Sequence, residues 1–413
     1  MLARTMLAVA LLLLPAAART QESAATGWIA SWIASPQPRW EGDFPLPVLA
    51  PPTLWNQTVR QRVRLSLGGT RLRLVLSNRY GDTPVRIGAA SVARAGTKAG
   101  VAEDSLKAAT FGGQPSTTLL PGTSVISDPV EIDAPALSEL AVSLFVPQPT
   151  AVSTFHWDGG QTAYIAAGNA TVKTDLEPES TTTTRIALSG VLVEAPAQTA
   201  TIVAFGDSIT DGAASTLDAN RRWPDFLAAR LAPQGIAVVN AGISGNRLLA
   251  PRMGESALAR FDRDVASLPG VAAVVVLIGI NDISWPGHAF APDIATPSAD
   301  QLIDGYRQLA ALARARNIRI LGATLTPFEG ALKGTPFEGY YTPDKDRVRQ
   351  QVNERLRADG VFDALVDLDA VLRDPEHPRR LHPEFDSGDH LHASDRGNAA
   401  IADAIDLRLL LGR

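Results

Sequence analysis

Ser208, Asp389 and His392 are residue types that together can cleave an ester. A hydroxyl has to lose its proton as it attacks an acyl carbon, an imidazole can take that proton, and a carboxylate can orient the imidazole. Asp389 stands three residues before His392, close enough within a turn to accept from its Nδ1–H and so fix the tautomer. The oxyanion that develops needs hydrogen-bond donors. The backbone N–H groups of Ser208 and Gly245 and the side-chain amide of Asn281 are candidates, Gly245 because a residue without Cβ lets its backbone approach a substrate. These residues lie in four blocks: Gly206-Asp207-Ser208, 240–246, Gly279-Ile280-Asn281-Asp282 and Asp389-His390-Leu391-His392. Asp207 and Asp282 flank catalytic candidates and read as acceptors of loop backbone N–H groups.

Other chemistries compete for the same residues. Taken alone, Gly206-Asp207-Ser208 is also an ordinary turn that caps the next helix. A Gly-x-Ser-x-Gly elbow is absent, because Thr210 stands where the second glycine would be. His377, His382, Asp386, Asp389, His390 and His392 are plausible zinc ligands by type. No helical His-x-x-x-His pair accompanies them, and ester cleavage already employs Asp389 and His392, so we expect neither metal nor cofactor. His390 reads as structural. The loop 327–342, with Phe328, Phe337, Tyr340 and Tyr341, reads equally as a lining of the site or as packing.

The elements that must position these residues alternate between strand and helix. Residues 202–205 form an apolar run suited to a strand buried on both faces, which puts Ser208 at its carboxyl end, where ligands bind in open parallel sheets. Further strands are predicted at 236–240, 271–278, 318–325 and 362–366. Helices are predicted at 223–232, at 299–316 behind a Ser298/Gln301 capping box, from Thr342-Pro343 onward, and from Ser394. Residues 199–413 are therefore expected to form an α/β domain with a parallel sheet and helices on both faces.

Residues 25–195 follow a different rule. After a Trp- and Pro-rich opening, Val59, Val63, Leu65 and Leu67 alternate with Arg60, Arg62, Arg64 and Ser66. Gly68-Gly69 and the alternation of Leu72, Leu74 and Leu76 then predict an antiparallel hairpin. More alternating runs follow at 85–93, 125–132, 140–146 and 186–193, with turn residues between them, which predicts a β-sandwich or jelly-roll domain joined through 196–198. The arginines read as a solvated outer face rather than as a binding surface.

The 413-residue chain exceeds one ordinary core, and 45% apolar with 20% charged residues is a globular composition. A net charge of −5 without a basic block gives no reason to expect nucleic acid. Arg4, the apolar run 6–14 and Ala16-Ala17-Ala18 read as a signal peptide over 1–20, too short to span a bilayer, with a secreted or periplasmic destination. There are no cysteines, so neither disulfides nor thiol chemistry can contribute.

The four blocks, in this order over roughly 200–413, resemble those of the GDSL or SGNH hydrolase superfamily: Gly-Asp-Ser-Ile, with Ile209 where leucine is usual, then Gly245, Gly-Ile-Asn-Asp and Asp-His-Leu-His. The resemblance implies a flavodoxin-like three-layer fold and metal-independent ester hydrolysis, with Ser208, Gly245, Asn281 and His392 as the four named residues. The preceding β-domain and the Trp28 to Pro38 opening are similar to secreted bacterial members grouped with carbohydrate acetylesterases. The leading expectation is thus an exported esterase acting on short acyl groups, acetyl foremost, of a carbohydrate or small ester. A lipolytic carboxylesterase or lysophospholipase and a non-catalytic carbohydrate-binding protein are the alternatives.

Overall fold

Uninterrupted apolar runs and alternating runs produce two kinds of sheet here. The computed structural model describes residues 25–40, 42 and 44–412; the signal-peptide reading of 1–20 lies outside the described residues. In the C-terminal half, five parallel strands lie in the order Ala237–Gly242, Thr201–Gly206, Val271–Leu277, Arg319–Ala323, Ala364–Val366. Both faces of this sheet are covered, so its strands are mostly apolar, with Thr201, Asn240 and Arg319 as the polar exceptions. Val203, Phe205, Val274 and Val276 pack with Leu302, Tyr306, Leu309 and Val352. Ile202, Ala204, Val275 and Leu277 pack on the other face with Trp223, Leu227, Leu231 and Ile401.

Helix ends follow the local signals. Ser298 caps Ala299–Arg314 in a capping box with Gln301, Thr342 accepts from Lys345 N ahead of Pro343–Ala358, and Ser394 accepts from Gly397 N at the start of Asp395–Ala404.

The N-terminal half is antiparallel. One sheet contains Thr26–Ile33, Leu188–Pro196, Gly69–Ser77, Ser124–Ile126 and Val130–Ala134; a six-stranded sheet is built around Gln57–Arg64, Glu139–Val146 and Ala89–Arg94. Val59, Val63 and Val142 of the second sheet share a core with Leu72, Leu74 and Val191 of the first.

This pairing corrects two sequence expectations. Gln57–Arg64 and Gly69–Ser77 do not form a hairpin: the first pairs with Glu139–Val146 and Ala163–Ala167, the second with strands of the other sheet. The chain crosses between sheets at Gly68, where a Cβ would stand 2.3 Å from Ala136 N and 2.5 Å from Ala134 O. Alternation records which side chains face the core; it does not name the neighbouring strand. Nor is the arginine row a solvated face. Arg60 is fully buried, donating to Ser143 Oγ at 2.9 Å and to the carbonyls of Ala99 at 2.7 Å and Lys173 at 2.6 Å. Arg62 holds the carbonyls of Gly96 and Lys98, so loops cover this side of the sheet, and burial lowers the Arg60 pKa to about 10.

The halves are packed together. Ala30, Ile33 and Leu192 join the core of the parallel sheet, and Ser66 Oγ accepts from Val238 N at 3.1 Å on its edge strand.

Candidate active site

The strand Thr201–Gly206 ends where Gly206 lies so close to the next strand that a Cβ would meet Leu277 O at 2.2 Å. Asp207 then caps the short helix Ser208–Asp211, accepting from Ile209 N at 3.1 Å. Ser208 is thereby the first residue of a helix, with its backbone N–H unclaimed by helical bonding and the dipole favouring negative charge nearby.

Ser208 Oγ lies 2.8 Å from His392 Nε2, and His392 Nδ1 lies 2.6 Å from Asp389 Oδ2. The other Asp389 oxygen accepts from His392 N at 2.8 Å, Leu391 N at 2.9 Å and Ser387 Oγ at 3.0 Å. Burial pushes this carboxyl up, but the bonds and charge of His392 and the two backbone donors outweigh it and hold the pKa well below the usual carboxylate range. An ionised Asp389 makes His392 Nδ1 the donor and leaves Nε2 to accept from the serine.

The second block forms a turn closed by Asn246 N donating to Ile243 O at 3.0 Å. Gly245 has φ 74°, and a Cβ there would fall 2.3 Å from the Met253 sulfur, so both conformation and space require glycine. In the third block Gly279, at φ 128°, leads into the helix Ile280–Ser284. Asn281 is buried; its Nδ2 donates to Asn246 O at 3.0 Å, while its Oδ1 accepts from Tyr340 Oη at 2.7 Å and Trp285 Nε1 at 3.0 Å. Two donors on the oxygen fix which way the amide points and leave one amide hydrogen for another acceptor.

Asp207 and Asp282 take the structural roles expected of them: Asp282 accepts from Leu248 N at 2.6 Å and Leu249 N at 2.9 Å. Burial pushes the Asp207 carboxyl up to about 7 and that of Asp282 up to about 6. His390 pairs with Asp386 at 2.5 Å, away from Ser208. Among the described residues, no three His, Cys, Asp or Glu side chains gather so as to hold a metal ion.

Ser208, His392 and Asp389 are thus joined in one hydrogen-bond chain, and Asn281 is bonded to the turn that carries Gly245. Two residues that reach the site were not assigned a role. Trp285 carried a readable signal, since it lies four residues after Asn281 and hence on the same helix face. Tyr340 belongs to the loop read either as lining or as packing. It is packing, buried with Phe328, and its hydroxyl orients Asn281. No local pattern links positions 281 and 340.

Residues 202–405 match the family described as GDSL-like lipase/acylhydrolase. No curated protein matches the chain. Among solved structures the chain is similar to an acetyl xylan esterase (23% identity, 49% of this chain and 96% of that one, TM-score 0.36). It is likewise similar to a GDSL-like lipase from Bacteroides thetaiotaomicron (20%, 51% and 87%, TM-score 0.38). A mutant acetyl-xylooligosaccharide esterase from Geobacillus is a third such structure (24%, 52% and 94%, TM-score 0.35). With the family match spanning all four blocks, the C-terminal half of this chain belongs to the GDSL-like lipase/acylhydrolase family, and the protein is a carboxylic ester hydrolase.

Proposed function

We propose that the protein is an exported serine esterase that removes short acyl groups, acetyl foremost, from carbohydrate. The observation that carries the mechanism is the continuous hydrogen-bond chain Ser208 Oγ to His392 to Asp389, set beside three donors that can face an oxyanion. Ser208 Oγ attacks the acyl carbon as His392 Nε2 takes its proton. The negative oxygen is met by the N–H groups of Ser208 and Gly245 and by Asn281 Nδ2. Collapse expels the alcohol, which recovers the proton from His392, and leaves an acyl group on Ser208. Water activated by His392 then releases the acid.

The short-acyl reading is supported by the aromatic loop. Of the three aromatic residues that could line a long acyl channel, Phe328 and Tyr340 are buried and engaged in packing, and Phe337, half-buried, stacks on Phe290. Carbohydrate is supported only by the arrangement, a β-region joined ahead of the hydrolase half, in which the chain resembles secreted acetylesterases, and export by the apolar N-terminal run. We read the architecture as a flavodoxin-like three-layer hydrolase domain over 199–413 behind a β-sandwich over 25–195. The test is turnover of p-nitrophenyl acetate against octanoate, followed by acetate release from acetylated polysaccharides. Acetate esters should be preferred, and Ser208→Ala should lower kcat by about 10⁴ or more. A preference for octanoate supports the lipolytic alternative instead, and wild-type protein without turnover on any ester supports the binding protein.

A further inference from the structure

The antiparallel half reaches toward the site through a buried ionisable residue that the proposed reaction does not use. His156, in the strand Thr154–His156, is 5% exposed, and its ring bridges the two halves. Nδ1 lies 3.1 Å from the Ser35 carbonyl and Nε2 lies 3.0 Å from Asp211 Oδ1. A carbonyl and an ionised carboxylate only accept, so a neutral imidazole, with one N–H, would leave one contact without a hydrogen. Asp211 also accepts on Oδ2 from Ser244 N at 2.8 Å and Ser244 Oγ at 2.7 Å, so its other oxygen is the one that faces His156. Both ring nitrogens are therefore satisfied together by an imidazolium. Burial pulls the His156 pKa down, but the charge and bond of Asp211, with help from the Ser35 carbonyl and Asp158, outweigh it and raise the pKa.

Asp211 occupies a pivotal position. It is the last residue of the short helix that Ser208 opens, and Ser244 and Gly245 are the two central residues of the turn that presents the Gly245 N–H. One carboxylate thus ties the nucleophile helix to the oxyanion turn. A second contact from the antiparallel half converges on the same turn. Gln37 Nε2 donates to Met253 O, while Gln37 Oε1 accepts at 2.8 Å from the N–H of Trp157, the residue after His156. Met253 is the residue whose sulfur fills the space beside Gly245.

Resting on the reading of Gly245 as an oxyanion donor, we propose that His156 is a positioning residue for ester hydrolysis: through Asp211 and Ser244 the antiparallel half holds the nucleophile helix and the oxyanion turn in register. The β-region is then part of the apparatus that hydrolyses even the smallest ester, and not only an aid to binding a polymer.

His156→Gln in the full chain tests this, because glutamine can donate to one partner but carries no charge and cannot bridge both. With p-nitrophenyl acetate, kcat should fall about ten- to a hundredfold while KM stays within about twofold, as expected when donors are misplaced by a fraction of an ångström. Affinity for a boronic acid that forms a tetrahedral adduct on serine should fall in the same proportion, a change that a merely structural role would not produce in a folded variant. Unchanged kcat and boronate affinity in folded His156→Gln overturn the proposal. Should that variant fail to fold, ring ¹⁵N NMR of the wild-type protein at pH 7 decides: both His156 nitrogens protonated supports the clamp, and one unprotonated nitrogen overturns it. Ser208→Ala separates this inference from the reading beneath it. If Ser208→Ala keeps turnover, the serine mechanism fails; if it is inactive while His156→Gln is normal, only the role of His156 fails.

Discussion

The proposed nucleophile and base on one side of the site, and the proposed donors Gly245 and Asn281 on the other, share a rim but are held by different means. Ser208 is set by Asp207 immediately before it, and His392 by Asp389 three residues before it. These are short-range bonds inside single loops. Asn281, by contrast, is oriented by Tyr340, 59 residues away, and the Gly245 turn by Asp211, which bonds Ser244 from 33 residues away. The groups proposed to make and break bonds are placed within their own loops, whereas Gly245 and Asn281, proposed to stabilise charge, depend also on packing between distant segments. The second kind of placement is the more easily lost, because no single loop maintains it.

Removing a donor outright tests the distant side most severely. Asn281→Ala should lower kcat by about 10² to 10³, roughly 3 to 4 kcal/mol, with a much smaller change in KM, since a donor aimed at the oxyanion acts mainly in the transition state. Near-normal kcat at an unchanged Tm would remove Asn281 from the hole. Tyr340→Phe leaves the amide present but takes one of two donors from its oxygen. We expect a loss of kcat of about three- to tenfold, from a side chain that never touches the substrate. A loss as large as that of Asn281→Ala would mean that the hydroxyl acts directly, and no loss would mean that Trp285 suffices to orient the amide.

The local side is probed by pH. The Asp207 carboxyl has its pKa raised by burial to about 7 from an ordinary 3.8, so the folded protein binds a proton there that the unfolded chain has released. The stability this contributes is complete below the unfolded value and is lost as pH rises through about 7. Asp282, raised to about 6, acts in the same direction. Asp207→Asn keeps a carbonyl oxygen for the Ile209 N–H but cannot ionise. Its Tm relative to wild type should therefore climb between about pH 4 and 7 and level off on either side; a difference that is flat across this range would show that Asp207 is not buried as a neutral acid.

Much of this arrangement was legible beforehand. The capping box at Ser298 and Gln301, the start at Thr342-Pro343, the apolar parallel strands and the four polar blocks at strand ends all act through neighbouring residues, and each produced the element its local chemistry implies. Arg60 shows where such reading stops. A charged residue on an alternating strand reads as exposed because burying it alone is costly. Here carbonyls from Ala99, Ala170 and Lys173 meet the guanidinium, and their arrival is a matter of how distant loops fold over the sheet.

The sequence was enough to nominate a nucleophile, a base, a carboxylate to orient it and the donor candidates, because those nominations depend on residue type, order and short spacing. Only the tertiary structure decided that Gln57–Arg64 and Gly69–Ser77 lie in different sheets, that Tyr340 helps fix the face of the Asn281 amide, and that His156 of the antiparallel half lies against Asp211. Periodicity specifies a buried face and capping specifies an end. Which segments meet across that buried face is settled by the packing of the whole chain, where segments far apart in sequence compete for the same apolar surface and the same unpaired polar groups.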